Sequence, residues 1–234
     1  VITRRCAPSA DGRVDAVIVD YATPELAVRC WRSLIECPLF ASVTVVDAKA
    51  AGWSYAQSVN TTLNDGRAEF VLALNADTRM LEPPAAVLDL FDSDPTIAVV
   101  GPRQVTSDER IVHGGIFGTN QAPEFRCWQA PLLLHLDETA DTRDAVTVSG
   151  SVYFARRSVW DELGGFLDTP HFYEETWLSY LARHRGHRVV YTGSTTWIHE
   201  FNQSPTTEGW RARVAAQSRE IFRAACNREG TACD

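Results

Sequence analysis

Short β-branched runs alternate with polar turns and with segments of helical spacing through the first half of the chain, the signature of stacked βαβ units on a mainly parallel sheet. Val14 to Val19 reads as a buried strand. In the Asp20-Tyr21-Ala22-Thr23-Pro24 turn that follows, Thr23 is the expected N-cap and Pro24 the first residue of a helix running to about Glu36. Val43 to Val46 is the next strand and ends at Asp47. A helix from about Ser54 to Leu63 stops at Asn64-Asp65-Gly66, and Phe70 to Leu74 delivers Asn75-Ala76-Asp77 at its carboxyl end. Loops at that edge of a parallel sheet are where ligands normally bind.

Pro84 to Phe91 reads as a short helix, and Ile97 to Val100 as a strand closed by Gly101-Pro102. The rhythm then changes. Ile111 to Phe117 and Val146 to Phe154 read as strands, whereas Thr119 to Asp144 mixes Pro, Trp, Glu and Asp without a period, and a loop that long is usually functional. Arg156 to Leu163 and Glu174 to Arg185 are predicted helices, each closed by glycine. Val189 to Tyr191 and Thr195 to Ile198 supply strand, and Thr206 to Ala225 a final amphipathic helix. With no repeat, low-complexity tract or linker, residues 1–234 read as a single domain.

Composition narrows the function. The balance of 30 acidic against 22 basic residues gives a formal charge of −8, which argues against a nucleic-acid binder yet leaves room for a small phosphorylated ligand held locally. Only Lys49 is lysine. The six cysteines form no C-x-x-C pair and are expected to be reduced packing residues. Residues Val1 to Arg13 lack the apolar stretch of a signal peptide, and runs such as Ile97 to Val100 are too short to span a bilayer. A soluble, cytoplasmic protein with no transmembrane segment is expected, contact with a membrane-held partner staying open.

Neither a G-x-G-x-x-G after the first strand nor a P-loop motif occurs. The carboxylates are more informative. Asp47 and Asp77 stand at strand ends and Glu174-Glu175 opens a helix, so three acidic sites can converge on one sheet edge. Asp47 suits the N3–H of uracil or thymine, Asp77 suits Mg²⁺ or Mn²⁺ bridging a diphosphate, and the Glu pair suits a general base. Each has a plainer reading: strand-end aspartates cap turns, and a helix-opening Glu pair complements the dipole. Tyr21 is a base-stacking or a core residue, Trp177 an acceptor-pocket or a core residue, and Lys49, Arg103 and Arg183 are phosphate contacts or solvated side chains.

Five segments in order, VDAVIVDYAT (14–23), VTVVD (43–47), FVLALNAD (70–77), VSGSVYFARRSVWDELGGF (148–166) and FYEETWLSYLARHRGHRVVYTGSTTWIH (172–199), resemble the inverting family-2 glycosyltransferases of GT-A fold, such as rhamnosyltransferase-like, cell-wall and natural-product sugar transferases. The resemblance covers about residues 14–205. It implies a GT-A type, single-domain α/β fold with a Rossmann-like sheet. About 14–101 would hold the nucleotide-sugar and about 102–205 the acceptor, with 206–234 as C-terminal helix and tail. By the same resemblance Asn75 and Asp77 lie in the metal and donor element, with Asp47 and Tyr21 beside them. His199 completes the metal site, Ser149 and Gly150 lie on the acceptor side with Trp177, and Glu175 is the base supported by Glu174. His113 lies in a similar family string. The chain departs from the family at Glu175, where Asp is usual, at Trp177, where a second acid is common, at Asn75, where stricter members carry Asp, and in the short Ala48–Ala51 stretch.

The implied activity is metal-dependent transfer of a sugar from a UDP- or dTDP-linked donor to a glycan, lipid-linked or small-molecule hydroxyl acceptor, which would meet the Thr119 to Asp144 stretch. Two alternatives stand beside it. One is a degenerate GT-A protein that binds sugar nucleotides or scaffolds; the other is a nucleotidyltransferase, which usually carries a Gly- and basic-rich loop after its first strand.

Overall fold

Continuous apolar runs need cover on both faces, and the chain provides it with one sheet between helical layers. The computed structural model of the protein describes residues 2–117, 126–127, 139–200, 203 and 207–230, without the side chains of 117, 126 and 127. Ile2–Cys6 (β1) is an edge strand that periodicity does not reveal, four of its five residues being exposed. Val14–Asp20 (β2) is buried along its whole length and leads into Pro24–Leu34 (α1). The Thr23 side chain makes no capping bond. Its N–H and hydroxyl instead donate to Asp20 Oδ1 at 2.7 and 3.0 Å, so Asp20 shapes the turn.

Phe40–Asp47 (β3) is followed by the short Ala48–Ala51 (α2) and by Tyr55–Leu63 (α3), which starts in a capping box of Ser54 and Gln57. Phe70–Asn75 (β4) turns through Ala76-Asp77 into Thr78–Met80 (β5), and Ala85–Ser93 (α4) leads to Ile97–Val105 (β6). β6 does not stop at Gly101-Pro102. It pairs in parallel with the later Arg188–His199 strand, whose register shifts between Thr192, opposite Pro102, and Thr196, opposite Arg103. A bulge is where a residue with no N–H is tolerated inside a sheet.

Ile111–His113 (β7), Ile116–Phe117 (β8), Arg126–Cys127 (β9) and Thr142–Asp144 (β10) are short. Val152–Arg156 (β11) starts later than its apolar run suggests, because Val148 to Ser151 forms a loop of the site. Arg157–Leu163 (α5), Glu174–His184 (α6), Arg188–His199 (β12) and Glu208–Arg228 (α7) complete the chain.

The main sheet has the order β1-β3-β2-β4-β11-β6-β12-β10, with β5 on β12 and β7 on β6. β3, β2, β4, β6 and β12 share one direction, and β11 runs against them between β4 and β6. This is an α/β fold with a mixed, mostly parallel central sheet. One face packs on α1 and α4 around Leu34, Phe91 and Trp197, the other on α3, α5 and α6 around Val59, Trp160 and Leu178. At the amino end of β2, Asp15 is gripped by Arg157 Nη2 (2.9 Å), the Ser42 hydroxyl and the Ala68 N–H, while Arg157 also donates to the Ala68 and Leu63 carbonyls.

Cys6, Cys30 and Cys37 are free thiols, but Cys226 is disulfide-bonded, which corrects the expectation that all six are reduced. Among the described residues no helix is long and apolar enough to cross a membrane.

Candidate active site

The co-directional strands bring their carboxyl ends to a cavity of about 600 Å³. At the end of β4, the Asn75 N–H donates to the Ser151 carbonyl at 3.0 Å and the Asn75 carbonyl accepts the Thr78 hydroxyl at 2.7 Å, which fixes the turn at Ala76-Asp77. β5 then pairs with the end of β12, His199 opposite Thr78, and the Glu200 N–H donates to the Asp77 carbonyl at 3.0 Å. Two strand ends thereby set Asp77 Oδ1 3.4 Å from His199 Nε2, with side chains 11% and 8% exposed. Among the described residues no three His, Cys, Asp or Glu side chains gather as a metal site. One carboxylate and one imidazole are still of the chemistry that would suit a divalent ion.

Glu174 and Glu175 are presented by a strained turn. Phe172 and Tyr173 both have φ of 72°, a region that costs bulky residues roughly 1–3 kcal/mol each. α7 holds the turn from outside. The Ser218 hydroxyl donates to the His171 carbonyl at 2.6 Å and Arg219 Nε to the Tyr173 hydroxyl at 3.2 Å.

The two carboxyl groups have different surroundings. Glu174 is buried, and burial, followed by repulsion from Glu175, pushes its pKa well above the usual carboxylate range; His171 Nδ1 lies 3.8 Å from its Oε1. Burial also keeps the His171 imidazole neutral, with its pKa down at about 4. Glu175 is raised by burial too, but backbone N–H groups of Glu175, Thr176 and Gly150 oppose the shift. Glu174 is therefore the member that holds its proton more firmly and Glu175 the one that ionises first. Gly150 makes this possible: a Cβ there would sit 3.2 Å from Glu175 Cγ and Cδ. The Gly150 carbonyl is in turn anchored by the Tyr55 hydroxyl at 2.7 Å.

Of the residues singled out from sequence, Tyr21, Asn75, Asp77, Ser149, Gly150, Glu174, Glu175 and His199 line the cavity. Asp47 and Trp177 do not. Asp47 Oδ1 accepts the Ala50 N–H at 2.9 Å and caps α2, and it is Ala48 that reaches the wall. Trp177 is buried against Phe222 of α7, ring centroids 6.1 Å apart, because the stripe of α6 that carries it faces that helix. The acceptor-pocket reading of Trp177 is thus corrected to the core reading. Lys49, Arg103, Arg183 and His113 also lie off the wall. Arg103 donates to Thr196 beside the bulge at 2.8 and 3.0 Å, and buried His113, its pKa pushed down to about 3 by burial, accepts the Ser149 N–H at 3.3 Å. Most of Thr119 to Asp144 lies outside the described residues.

The wall also carries Trp53, Tyr55, His171, Phe172, Trp210 and Arg211, none of them identified from sequence. Aromatic clusters beside the Ser54 cap and just before Glu174-Glu175 were the available signal, since loop aromatics next to acids often mark a site. Trp210 and Arg211 gave none, being one turn of an ordinary helix start.

A family model described as Glycosyltransferase like family 2 matches residues 16–224. Among curated proteins none matches the sequence. Among solved structures, mannosyltransferase PcManGT from Pyrobaculum calidifontis, in complex with GDP-Man and Mn²⁺, superposes with a TM-score of 0.59 at 16% identity, over 97% of this chain and 68% of that one. GalNAc-T7 with UDP, GalNAc and Mn²⁺ gives a TM-score of 0.60 at 15% identity, over 91% of this chain and 50% of that one, so this chain spans half of its length.

Proposed function

The chain is a glycosyltransferase of the family described as Glycosyltransferase like family 2, and from that premise we propose that it moves one sugar from a UDP- or dTDP-linked donor to an acceptor hydroxyl with inversion at the anomeric carbon. The observation that carries this is the joint placement, on one cavity, of the Asp77–His199 pair and of a Glu175 carboxylate held by the Gly150 N–H. The resident ion would be Mn²⁺ or Mg²⁺, which both structural neighbours support by binding Mn²⁺, and when bound it offsets the charge that gathers on the departing diphosphate.

Each residue then has one task. Asp77 and His199 would hold the ion, and Asn75 fixes the turn that presents Asp77. Tyr21, 47% exposed after β2, stacks on the pyrimidine. Asp47, off the cavity wall but next to Ala48 on it, uses Oδ1 for its helix cap and would offer its second oxygen to the imide N–H that uracil and thymine share. Glu175 accepts the acceptor's proton as that oxygen bonds to the anomeric carbon and the carbon–phosphate oxygen bond breaks. Glu174, protonated beside it, and the Ser149-Gly150 loop keep Glu175 in place. The donor lies toward the ends of β2 and β4, and the acceptor toward the loop before α6.

The test is incubation with a panel of sugar nucleotides and simple glycoside acceptors. Release of UDP or dTDP with a product of inverted anomeric configuration is expected. Pyrophosphate as product would replace the reading with nucleotidyl transfer, and binding with no turnover on any donor would replace it with a sugar-nucleotide-binding scaffold. Glu175→Gln is expected to keep donor affinity and lose ~10²–10⁴ in rate, and near-native turnover in that variant would remove Glu175 as the base.

A further inference from the structure

Gln104 lies near the end of β6 with its side chain fully buried. An amide buried there has an oxygen and an NH₂ group to satisfy. Gln104 Oε1 lies 3.0 Å from His199 Nδ1 and accepts the Ser151 hydroxyl at 2.6 Å, whereas Nε2 has no hydrogen-bond partner. Leaving a buried donor unpaired is costly, and the two bonds to the oxygen stand against that cost. A carbonyl oxygen cannot donate, and the proton between it and His199 therefore belongs to Nδ1. In the neutral imidazole that leaves Nε2, 3.4 Å from Asp77 Oδ1, as the lone-pair nitrogen. In that tautomer the lone pair and the carboxylate oxygen facing it have no proton to share.

We propose that Gln104 is the positioning residue of this site: its carbonyl oxygen holds His199 in the Nδ1–H tautomer and aims the Nε2 lone pair at a divalent cation shared with Asp77. This rests on the reading of Asp77 and His199 as metal ligands. The residue that occupies the second nitrogen of a ligating imidazole fixes its tautomer and ring orientation. The same oxygen also reaches the base. Because the Ser151 hydroxyl proton is spent on Gln104, Ser149 Oγ is the donor in its 2.7 Å contact with Ser151 Oγ. Gly150, between the two serines, gives its N–H to Glu175, and the Ser151 carbonyl takes the Asn75 N–H. One buried amide ties the metal ligand to the loop that holds the base.

The experiment compares the wild-type protein with Gln104→Glu, which keeps an acceptor oxygen, and Gln104→Leu, which does not. Nitrogen NMR of labelled imidazoles, without metal and in mildly alkaline solution, with His199 assigned through His199→Asn, should show a protonated Nδ1 and a bare Nε2. The opposite tautomer in the wild-type protein overturns the proposal. Calorimetric UDP affinity is then measured with and without Mn²⁺. The gain from Mn²⁺ should persist in Gln104→Glu and fall by ~10–100-fold in Gln104→Leu, with metal-free UDP affinity unchanged. Equal Mn²⁺ gain in the wild-type and Leu proteins overturns the proposal, and so, if the Leu protein does not fold, does loss of the gain in Gln104→Glu. A wild-type UDP affinity indifferent to Mn²⁺ defeats the metal reading itself, and this proposal with it.

Discussion

Glu174 and Glu175 are adjacent in sequence yet face different surroundings, and pH separates their roles. A carboxyl whose pKa is raised in the folded state holds its proton there at pH values where the unfolded chain has lost it. Its stabilising share is full below the unfolded value and drains away as pH rises through the folded one. Glu174→Gln removes that drain, so the variant should match the wild type in acid and melt at a higher temperature in neutral and alkaline solution, while turnover is largely kept. Thermal melts across pH decide this, and a variant destabilised at every pH would mean that the Glu174 carboxyl makes bonds that Gln cannot. Gly150→Ala probes the other partner. Its Cβ would press within 3.2 Å of Glu175, so Glu175 has to move by a few tenths of an ångström. A 1 Å misplacement can cost ~10²-fold in rate, and the expected outcome is at least a tenfold fall in turnover with UDP affinity unchanged, read by steady-state kinetics beside calorimetry.

Between elements, two polar joints carry the architecture. One ties the strained turn before α6 to α7 through Ser218 and Arg219, so Glu174 and Glu175 are presented by a turn that a helix far along the chain holds. The other is the ion pair of Asp15 with Arg157, 8% and 11% exposed, which locks β2 to the start of α5 and to the loop before β4. Removing one partner of a buried pair strands the other charge, at about 3–5 kcal/mol. Asp15→Ala should lower the stability seen in urea unfolding by about that amount and leave UDP affinity per folded molecule intact. A loss under about 1 kcal/mol would show that the joint is solvated.

For the molecule as a whole, the net charge of −8 and the acids on the cavity wall mean that a diphosphate is best admitted together with a cation. UDP or dTDP with Mn²⁺ at a hundred times the dissociation constant should stabilise the native state by about 2.7 kcal/mol, roughly 5–10 °C for a chain of this size. EDTA should abolish most of that shift. Stabilisation by GDP alone among the three nucleotides would remove Asp47 from base recognition, and an EDTA-insensitive shift would remove Asp77 and His199 from donor binding.

The strands Val14–Asp20 and Phe70–Asn75, the helices after them and the acids at their ends were legible in the linear pattern, because full burial demands unbroken apolar runs and ligand-facing residues follow where the runs stop. The pattern could not reveal β1, whose exposed side chains carry no apolar signature. Nor could it show that β6 continues through Gly101-Pro102, which depends on a bulge in a strand some ninety residues later. Trp177 was open between core and pocket until α7 covered one face of α6. Residue type placed Asp77 and the Glu174-Glu175 pair as candidates, and the family resemblance added His199 and singled out Glu175. Only the tertiary structure decided that Gln104 stands behind His199 and Gly150 beneath Glu175, because hydrogen bonds and steric clearance between residues dozens of positions apart leave no mark on local periodicity.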